Sequence, residues 1–367
     1  MPLLETLPVE LLELVAEQLV DEPSTHRASS GSTDPGVALE LASYCPHKAS
    51  KVQKARDRGV AILCRTSRRL NAVFTRHLYR RPNLSKWGLL ARTLLARPGL
   101  AQHVKALCFP LTFAPPNADS TVPPEVLAYF NAQNTTYSQY TNWENWSYDL
   151  AGTPDGRIRY EQRAMAIMTS LCPHALTLEF RLSWFDPPLF FAPGSMPPLF
   201  FAPGSMPRLH TVELPNCDDC DLWACLYLPW ISHLFAAAPN LRVIRGFNFT
   251  VVSHEDVKVT AESVLEVEFH HVSMTADGLR AMLKAFPRLE TLRYRGPVSR
   301  LLFHPDEARD LLMHHAPRLK RVSMDLRGPT MTGAVADPWA QWFKEEKENT
   351  VQAFHEQGVE FRVTFSP

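Results

Sequence analysis

The sequence is short of features that mark several protein classes. It has only 15 glycines beside 31 prolines in 367 residues, which favours many short elements with defined ends over long helices. Neither sign of charge is in excess, because 38 Lys and Arg balance 38 Asp and Glu. This balance argues against both a globally basic nucleic-acid binder and an acidic disordered tail.

Export and metal-binding signatures are also missing. Residues 1–5 lack the basic and apolar regions of a signal peptide, and seven scattered cysteines suit a reducing compartment. We therefore expect a cytoplasmic or nuclear protein without metal or another cofactor. Cys217, Cys220 and Cys225 have part of the spacing of a zinc site, but no second C-x-x-C pair follows, so reduced loop cysteines are the preferred interpretation.

Motifs of catalysis and membrane insertion are equally sparse. The sequence contains no H-E-x-x-H, phosphate-binding loop, G-x-G-x-x-G or G-x-S-x-G, so we predict no enzyme. An active site beside the aromatic insertion remains the alternative, because catalytic groups need not be sequence neighbours. Residues 222–239 are uncharged over 18 positions, but Pro229 and His233 favour a buried repeat helix over a membrane span.

One local charge run occurs at residues 48–81, which hold 11 Lys and Arg and a single acid, Asp57. Nucleic-acid binding would combine such a run with aromatic side chains for stacking, and none precedes Phe74 within it. We predict no nucleic-acid partner. The run is better interpreted as a solvated helix face, or as a charge that steers an acidic protein partner.

Helical periodicity dominates the first 96 residues. Between 7 and 20, Leu11, Val15 and Leu19 recur at i, i+4 and i+8, which predicts an amphipathic helix. The pattern returns from Val60 to Leu78 and again over about 85–96. The sequence therefore predicts a helical module over 1–82, with a long insert at about 21–59.

Short apolar alternations replace the helical period from residue 104 onward. Four of them follow the same Pro-x-Leu lead-in, which ends at Leu209, Leu241, Leu289 and Leu319. The buried anchors of these segments are expected at Leu178, Val212, Ile244, Val267, Leu292 and Val322. A reused strand unit that cannot bury its apolar face alone stacks on its neighbours.

The sequence thus predicts an α/β fold over residues 83–367, an irregular leucine-rich-repeat solenoid with parallel strands on one face and helices on the other. A closing edge strand is expected at 359–363. Insertions are predicted at 113–165, rich in aromatic residues, and at 186–206, where residues 188–197 recur unchanged at 198–207. The first copy of this duplication is predicted to be an extruded loop.

Two segments near the start resemble a known motif. Residues 7–19, Leu-Pro-Val-Glu-Leu-Leu-Glu-Leu-Val-Ala-Glu-Gln-Leu, resemble the opening helix of an F-box, and residues 61–71 resemble its second half. About 40 residues separate them, where a few are usual. Together with residues 78–104 and the repeats, the chain resembles fungal F-box proteins with leucine-rich repeats.

The resemblance implies a receptor rather than a catalyst. F-box helices dock on a Skp-type adaptor, which joins a cullin scaffold, and the repeat domain presents a protein target for ubiquitin transfer. Carried over to this sequence, the adaptor contacts are Leu7, Pro8, Leu11, Leu12, Val15, Leu19, Leu63, Cys64 and Leu70. The residues themselves agree, because the first helix has more apolar positions than one stripe needs, with Leu7, Leu12 and Leu14 as the surplus. The alternative is that all of them are internal core.

The open face of the predicted sheet is the candidate surface for an unknown protein target. Its candidate residues are Glu213, Arg245, Glu268, His270, Arg293, Arg295, Arg321 and Asp325, with Trp143 and Trp146 of the aromatic insertion as possible hot spots. An ordinary solvated strand face is the alternative. A repeat scaffold that works without any ligase is the alternative function.

Overall fold

The structure is a computed structural model that describes residues 4, 6–20, 58–82, 84–109, 123–133, 164–180, 203–215, 225–227, 232–252, 260–327, 342 and 345–366. Within these ranges the chain is an α/β protein built on a large parallel sheet. A small helical module precedes the sheet and has a hydrophobic core of its own.

The helical module consists of α1 (Val9–Val20), α2 (58–66) and α3 (Arg68–Arg80). The predicted first helix is confirmed, and the periodic stretch from Val60 to Leu78 forms two helices rather than one. The backbone is extended at Ser67, whose hydroxyl accepts a hydrogen bond from the Leu70 amide at 3.2 Å. Serine at this position satisfies an amide that a new helix start leaves open, so it begins α3 rather than continuing α2.

A short connection carries the chain from the module to the sheet. It contains the 3₁₀ turn Leu84–Lys86, helix α4 (Trp87–Ala96) and the 3₁₀ segment Pro98–His103. The α4 helix matches the prediction for about 85–96, and its buried face carries Trp87, Ala91 and Leu94. The Lys105 amide donates to the Arg80 carbonyl at 2.9 Å, which ties the first strand to the end of α3.

The strands and remaining helices alternate along the chain. In order, the strands are β1 (Ala106–Cys108), β2 (Thr177–Glu179), β3 (Thr211–Leu214), β4 (Cys225–Tyr227), β5 (Val243–Phe247), β6 (Thr250–Val252), β7 (Glu266–His270), β8 (Ser273–Thr275), β9 (Thr291–Pro297), β10 (Leu301–Leu302), β11 (Arg321–Arg327) and β12 (Glu360–Ser366). The helices are α5 (Pro124–Gln133), α6 (164–171), α7 (Ser232–Ala237), α8 (Ala276–Ala285), α9 (Pro305–His315) and α10 (Lys347–Glu356).

The main sheet has eight parallel strands in the order β1-β2-β3-β5-β7-β9-β11-β12, so each repeat unit adds its strand beside the previous one. The predicted anchors are direct lateral partners in this sheet, from Leu178 through Val212, Ile244, Val267 and Leu292 to Val322. All of them are buried, and each such side chain contributes about 1.5–3 kcal/mol to folding. The stacking predicted from the sequence is confirmed at the level of strand order and register.

A second sheet, in the order β10-β8-β6-β4, is not foreseen by the sequence pattern. Its edge strand β4 (Cys225–Tyr227) lies inside the uncharged stretch 222–239, for which the sequence predicts one buried helix. That prediction is wrong for this part, because only Ser232–Ala237 of the stretch is helical among the residues described there. Along the described ranges, no helix is both long and apolar enough to cross a membrane.

The predicted insertions fall only partly within the described residues. Helix α5 lies inside the 113–165 insertion, and α6 begins at its end. In the second copy of the duplication, Met206 is buried beside the strand lead-in at Leu209. The first copy at 188–197 and the two tryptophans Trp143 and Trp146 lie outside the described residues.

Gly278 in α8 sits where a side chain does not fit. A Cβ built there would lie 2.6 Å from the Val251 carbonyl oxygen of β6, and backbone cannot move aside as a flexible side chain can. We expect G278A to lower the free energy of unfolding by about 1–3 kcal/mol, measured by urea titration. The control is G59A in helix α2, because no described atom lies within 4 Å of the Gly59 Cβ position and alanine there should be neutral or stabilising. A G278A variant as stable as wild type would contradict this packing.

Candidate functional site

Helix α1 has two apolar faces, and the module covers only one of them. Leu12 and Ala16 are fully buried against α2 and α3, in a core shared with Val60, Leu70, Val73 and Phe74. At 100° per residue, Leu11 and Leu14 lie about 60° apart, on the side of α1 turned away from Leu12 and Ala16. Leu11 is 45% exposed and Leu14 is 54% exposed, so a leucine stripe remains open to a partner.

This geometry revises the predicted set of adaptor contacts. Leu12 and Leu70 are core residues of the chain itself, so both leave the set, and Leu12 is wrong as surplus. Leu14 takes its place, because it is more exposed than Leu11 on the same face. The other predicted residues are accessible to different degrees: Pro8, Leu11 and Leu19 are exposed, whereas Leu7, Val15, Leu63 and Cys64 are half-buried at the edge of the core.

Polar contacts hold α1 in this orientation. The Arg69 guanidinium donates to the Leu7 carbonyl at 2.7 Å, just before α1 begins. Arg76 of α3 forms an ion pair with Glu13 on the flank of α1. Because both side chains of that pair are partly exposed, it orients the helix more than it stabilises the fold.

The Cys64 thiol belongs to the packing of the module rather than to any reactive site. Burial raises the pKa of the Cys64 thiol, and its hydrogen bond with Thr75 offsets only part of that rise. The thiol therefore stays protonated at neutral pH, which is the inert form. Asn71 donates to the Cys64 carbonyl at 2.8 Å and links the end of α2 to α3.

Arg81 joins the helical module to the first strands of the main sheet. Its Nη2 lies 2.6 Å from a Glu179 carboxylate oxygen, and its Nε donates to the Cys108 Sγ at 2.9 Å. Burial and the Glu179 charge raise the pKa of the Cys108 thiol well above its ordinary value. The end of α3 is therefore fixed at the β1-β2 end of the sheet.

The open face of the main sheet carries a lateral row of charged side chains. Strand pairing places Glu179, Glu213, Arg245, Glu268 and Arg293 side by side on β2, β3, β5, β7 and β9. The Arg245 guanidinium lies 3.0 Å from Glu213 and 3.2 Å from Glu268, so one cation is shared by two carboxylates. Both carboxylates are mostly buried, in the centre of the face.

The two carboxylates that share Arg245 respond oppositely to their surroundings. Burial and the neighbouring Glu179 raise the pKa of Glu213, and Arg245 reverses this only in part. Burial also raises the pKa of Glu268, but the hydrogen bond and charge of His270, together with Arg245 and Arg293, bring it down to about 2. Glu268 is therefore stabilised as an anion by folding, whereas Glu213 is not.

This contrast predicts how stability depends on pH. The folded pKa of Glu268, about 2, lies below its ordinary value of 4.5, so its contribution is full above pH 4.5 and is lost as the pH falls toward 2. We expect the difference in unfolding free energy between wild type and E268Q to fall by about 2 kcal/mol between pH 6 and pH 3. Urea titrations at both pH values measure it, and a difference independent of pH would count against this assignment.

Arginines dominate the other end of the face, on β9, β11 and β12. Arg295 pairs with Asp325 at 2.9 Å. Arg321 and Arg362 share one carboxylate, Glu360, at 2.9 and 3.5 Å. Arg293 forms a longer ion pair with Glu266 of β7, at 3.6 Å.

The structure brings the predicted target-binding residues of the strands onto one face of the sheet. They are Glu213, Arg245, Glu268, His270, Arg293, Arg295, Arg321 and Asp325. Arg362 lies on the same face and was not predicted, although the alternation of the predicted closing strand could have placed it there. Arg81 was not predicted either, because it comes from a helix end and offers no strand pattern.

The described residues contain no group of three or more His, Cys, Asp or Glu that could hold a metal ion. Two cysteines of the alternative zinc site, Cys217 and Cys220, lie outside those residues. So does most of the aromatic insertion, beside which the alternative active site would lie. No family model matches the chain, and no curated protein matches it. Among the described residues, the leucine stripe of α1 and the charged sheet face are the two candidate binding surfaces.

Proposed function

We propose that the chain is the substrate-recognition subunit of a Skp/cullin/F-box-type ubiquitin ligase. The leucine stripe of α1 docks on a Skp-type adaptor, and the open face of the sheet binds a protein target. The observation that carries the proposal is the exposure of Leu11 and Leu14 on a helix whose opposite face is already buried. The compartment that fits this role is the cytoplasm or the nucleus.

The physical argument rests on the cost of leaving leucines in water. An amphipathic helix with an uncovered apolar face is suited to lie in a hydrophobic groove of another protein. Covering the exposed parts of Leu11 and Leu14 would contribute roughly 1 kcal/mol each, and flanking side chains add to this. Further apolar residues lie at the two ends of α1: Pro8 and Leu19 are exposed, and Leu7 is half-buried at the edge of the core.

Reconstitution tests the proposal. The purified full-length chain is mixed with a Skp-type adaptor and a cullin scaffold, and the mass of the product is measured by size-exclusion chromatography with light scattering. We expect one complex containing one copy of each protein, and ubiquitin transfer in the presence of the remaining ligase components. Three separate elution peaks at micromolar concentrations would refute the proposal.

A repeat scaffold that acts without a ligase is the second candidate. It is favoured by the separation of the two hydrophobic cores, since the sheet domain buries its own core apart from that of α1, α2 and α3. Such a scaffold keeps its protein partners when the leucine stripe is made polar. A receptor loses the adaptor and the cullin under the same change but keeps its target.

A further inference from the structure

The ratio of arginines to carboxylates differs between the two ends of the open face of the sheet. Toward β3 and β7, one arginine, Arg245, serves the two carboxylates Glu213 and Glu268. Toward β11 and β12 the ratio is inverted, because one carboxylate, Glu360, serves the two arginines Arg321 and Arg362. The β11-β12 end of the face therefore has surplus positive charge.

The two ends also differ in how far a partner can reach their charges. The side chains of Arg293, Arg321 and Arg362 are 45%, 51% and 70% exposed. The carboxylates near Arg245 are recessed and already engaged, so they shape the face more than they offer charge to a partner. The accessible surplus charge lies at the arginine end.

Strand register makes these three arginines neighbours. Arg293 and Arg362 flank Ser323 in one lateral row, and Arg321 lies two residues before Ser323 on the strand between them. With strands about 4.8 Å apart, the three guanidinium groups span a patch of roughly 10 Å. Two or three carboxylates of one extended peptide segment fit such a patch.

We propose that Arg293, Arg321 and Arg362 form a site that selects an acidic segment of the target protein. The proposal rests on the proposed function, because it names the chemistry of the target that the receptor would present. Arginine suits this role, since its planar guanidinium binds a carboxylate through two parallel hydrogen bonds. A strongly acidic segment would also replace Glu360 as the partner of Arg362, whose present ion pair is long at 3.5 Å.

A protein partner fits this patch better than a nucleic acid does. Asp325 and Glu360 stand among the arginines and would repel a continuous phosphate backbone. Within the described part of β9, β11 and β12, the residues that share the face of Arg293 include no aromatic side chain on which a base could stack. An acidic peptide, in contrast, can be bound through its carboxylates by the arginines alone, without any stacking side chain.

Binding of model peptides to the full-length chain tests the site. The probes are fluorescein-labelled octapeptides of glutamate, serine and lysine, titrated by fluorescence anisotropy at about 50 mM salt, where exposed charges are little screened. We expect the glutamate peptide to bind and the other two not to bind. The variant R293Q/R321Q/R362Q should weaken its binding roughly tenfold or more, and raising the salt should weaken binding to wild type.

A matched variant separates this site from the net charge of the chain. R92Q/R288Q/R318Q removes the same charge from exposed arginines on a helix and in turns, and should bind the glutamate peptide as wild type does. Equal weakening in both triple variants, no binding by wild type, or tighter binding of a single-stranded oligonucleotide to the same arginines would each overturn the proposal. Adaptor binding is measured on the same samples. If wild type does not bind the adaptor, the proposed function fails, whatever the result with the glutamate peptide.

Discussion

Replacing Leu11 and Leu14 with aspartate is expected to abolish recovery of a Skp-type adaptor on the full-length chain. Both side chains are exposed on the face of α1 that the module leaves uncovered, so the change places two charges where a partner groove needs apolar surface. Removing two such contacts and burying two carboxylates weakens binding by about 100-fold or more. The dissociation constant, measured by surface plasmon resonance for wild type and L11D/L14D, gives the factor directly.

The same substitutions should leave the fold intact, because neither side chain belongs to a buried core. We expect the melting temperature of L11D/L14D to stay within about 3 °C of wild type, the range usual for surface changes. L89D is the matched control, since Leu89 is a similarly exposed leucine on α4, away from the stripe. Adaptor affinity that drops equally in L89D, or that survives in L11D/L14D, would remove the stripe from the interface.

Loss of the Arg245 side-chain charge is expected to destabilise the sheet more than any other change on its open face. R245Q leaves Glu213 and Glu268, both largely buried, without the cation that they share. Because this ion pair is only part-buried and Glu268 keeps His270 as a partner, losing the shared cation should cost about 1.5–3 kcal/mol. R293Q is the comparison variant, since the Arg293 ion pair is longer and more exposed, and should cost less than about 1 kcal/mol.

Substituting Glu213 and Glu268 as well tests whether their uncompensated charges cause the lower stability of R245Q. The triple variant R245Q/E213Q/E268Q removes both stranded charges and should regain most of the stability that R245Q loses. Without Arg245 the folded-state pKa values of both carboxylates rise, so acid relieves the penalty and the deficit of R245Q shrinks from pH 7 to pH 4. A deficit that is unchanged in the triple variant would mean that Arg245 acts through packing alone.

The repeated strands could be predicted because their signal is local and recurs. Alternating apolar residues predicted the strands and the anchors that pair across them, from Leu178 to Val322, and four of these segments also share a Pro-x-Leu lead-in. Such a unit has one way to bury its apolar side, which is to stack on a copy of itself. The predicted charged residues of the strands fell on one face for the same reason, since side chains alternate along a strand.

Other features depend on contacts that no local pattern contains. Helix α1 is apolar on two sides, and the side covered by its own chain is set by α3, which begins about 50 residues later. Of the two α1 leucines predicted as surplus, Leu12 is therefore buried, whereas Leu14 is exposed. The second sheet is built from strands of two or three residues, which are defined by their neighbours and not by their composition. Arg81 reaches Glu179 across 98 positions, a distance that no spacing rule foresees.

Site-specific crosslinking addresses most directly whether the α1 stripe meets the adaptor. A photoreactive phenylalanine analogue is placed at Leu14 or, in a separate protein, at Leu89, and each full-length chain is irradiated with a Skp-type adaptor. We predict a covalent product with the adaptor from position 14 and none from position 89. No product from position 14 in a mixture that contains the complex, or equal products from both positions, would contradict the receptor assignment.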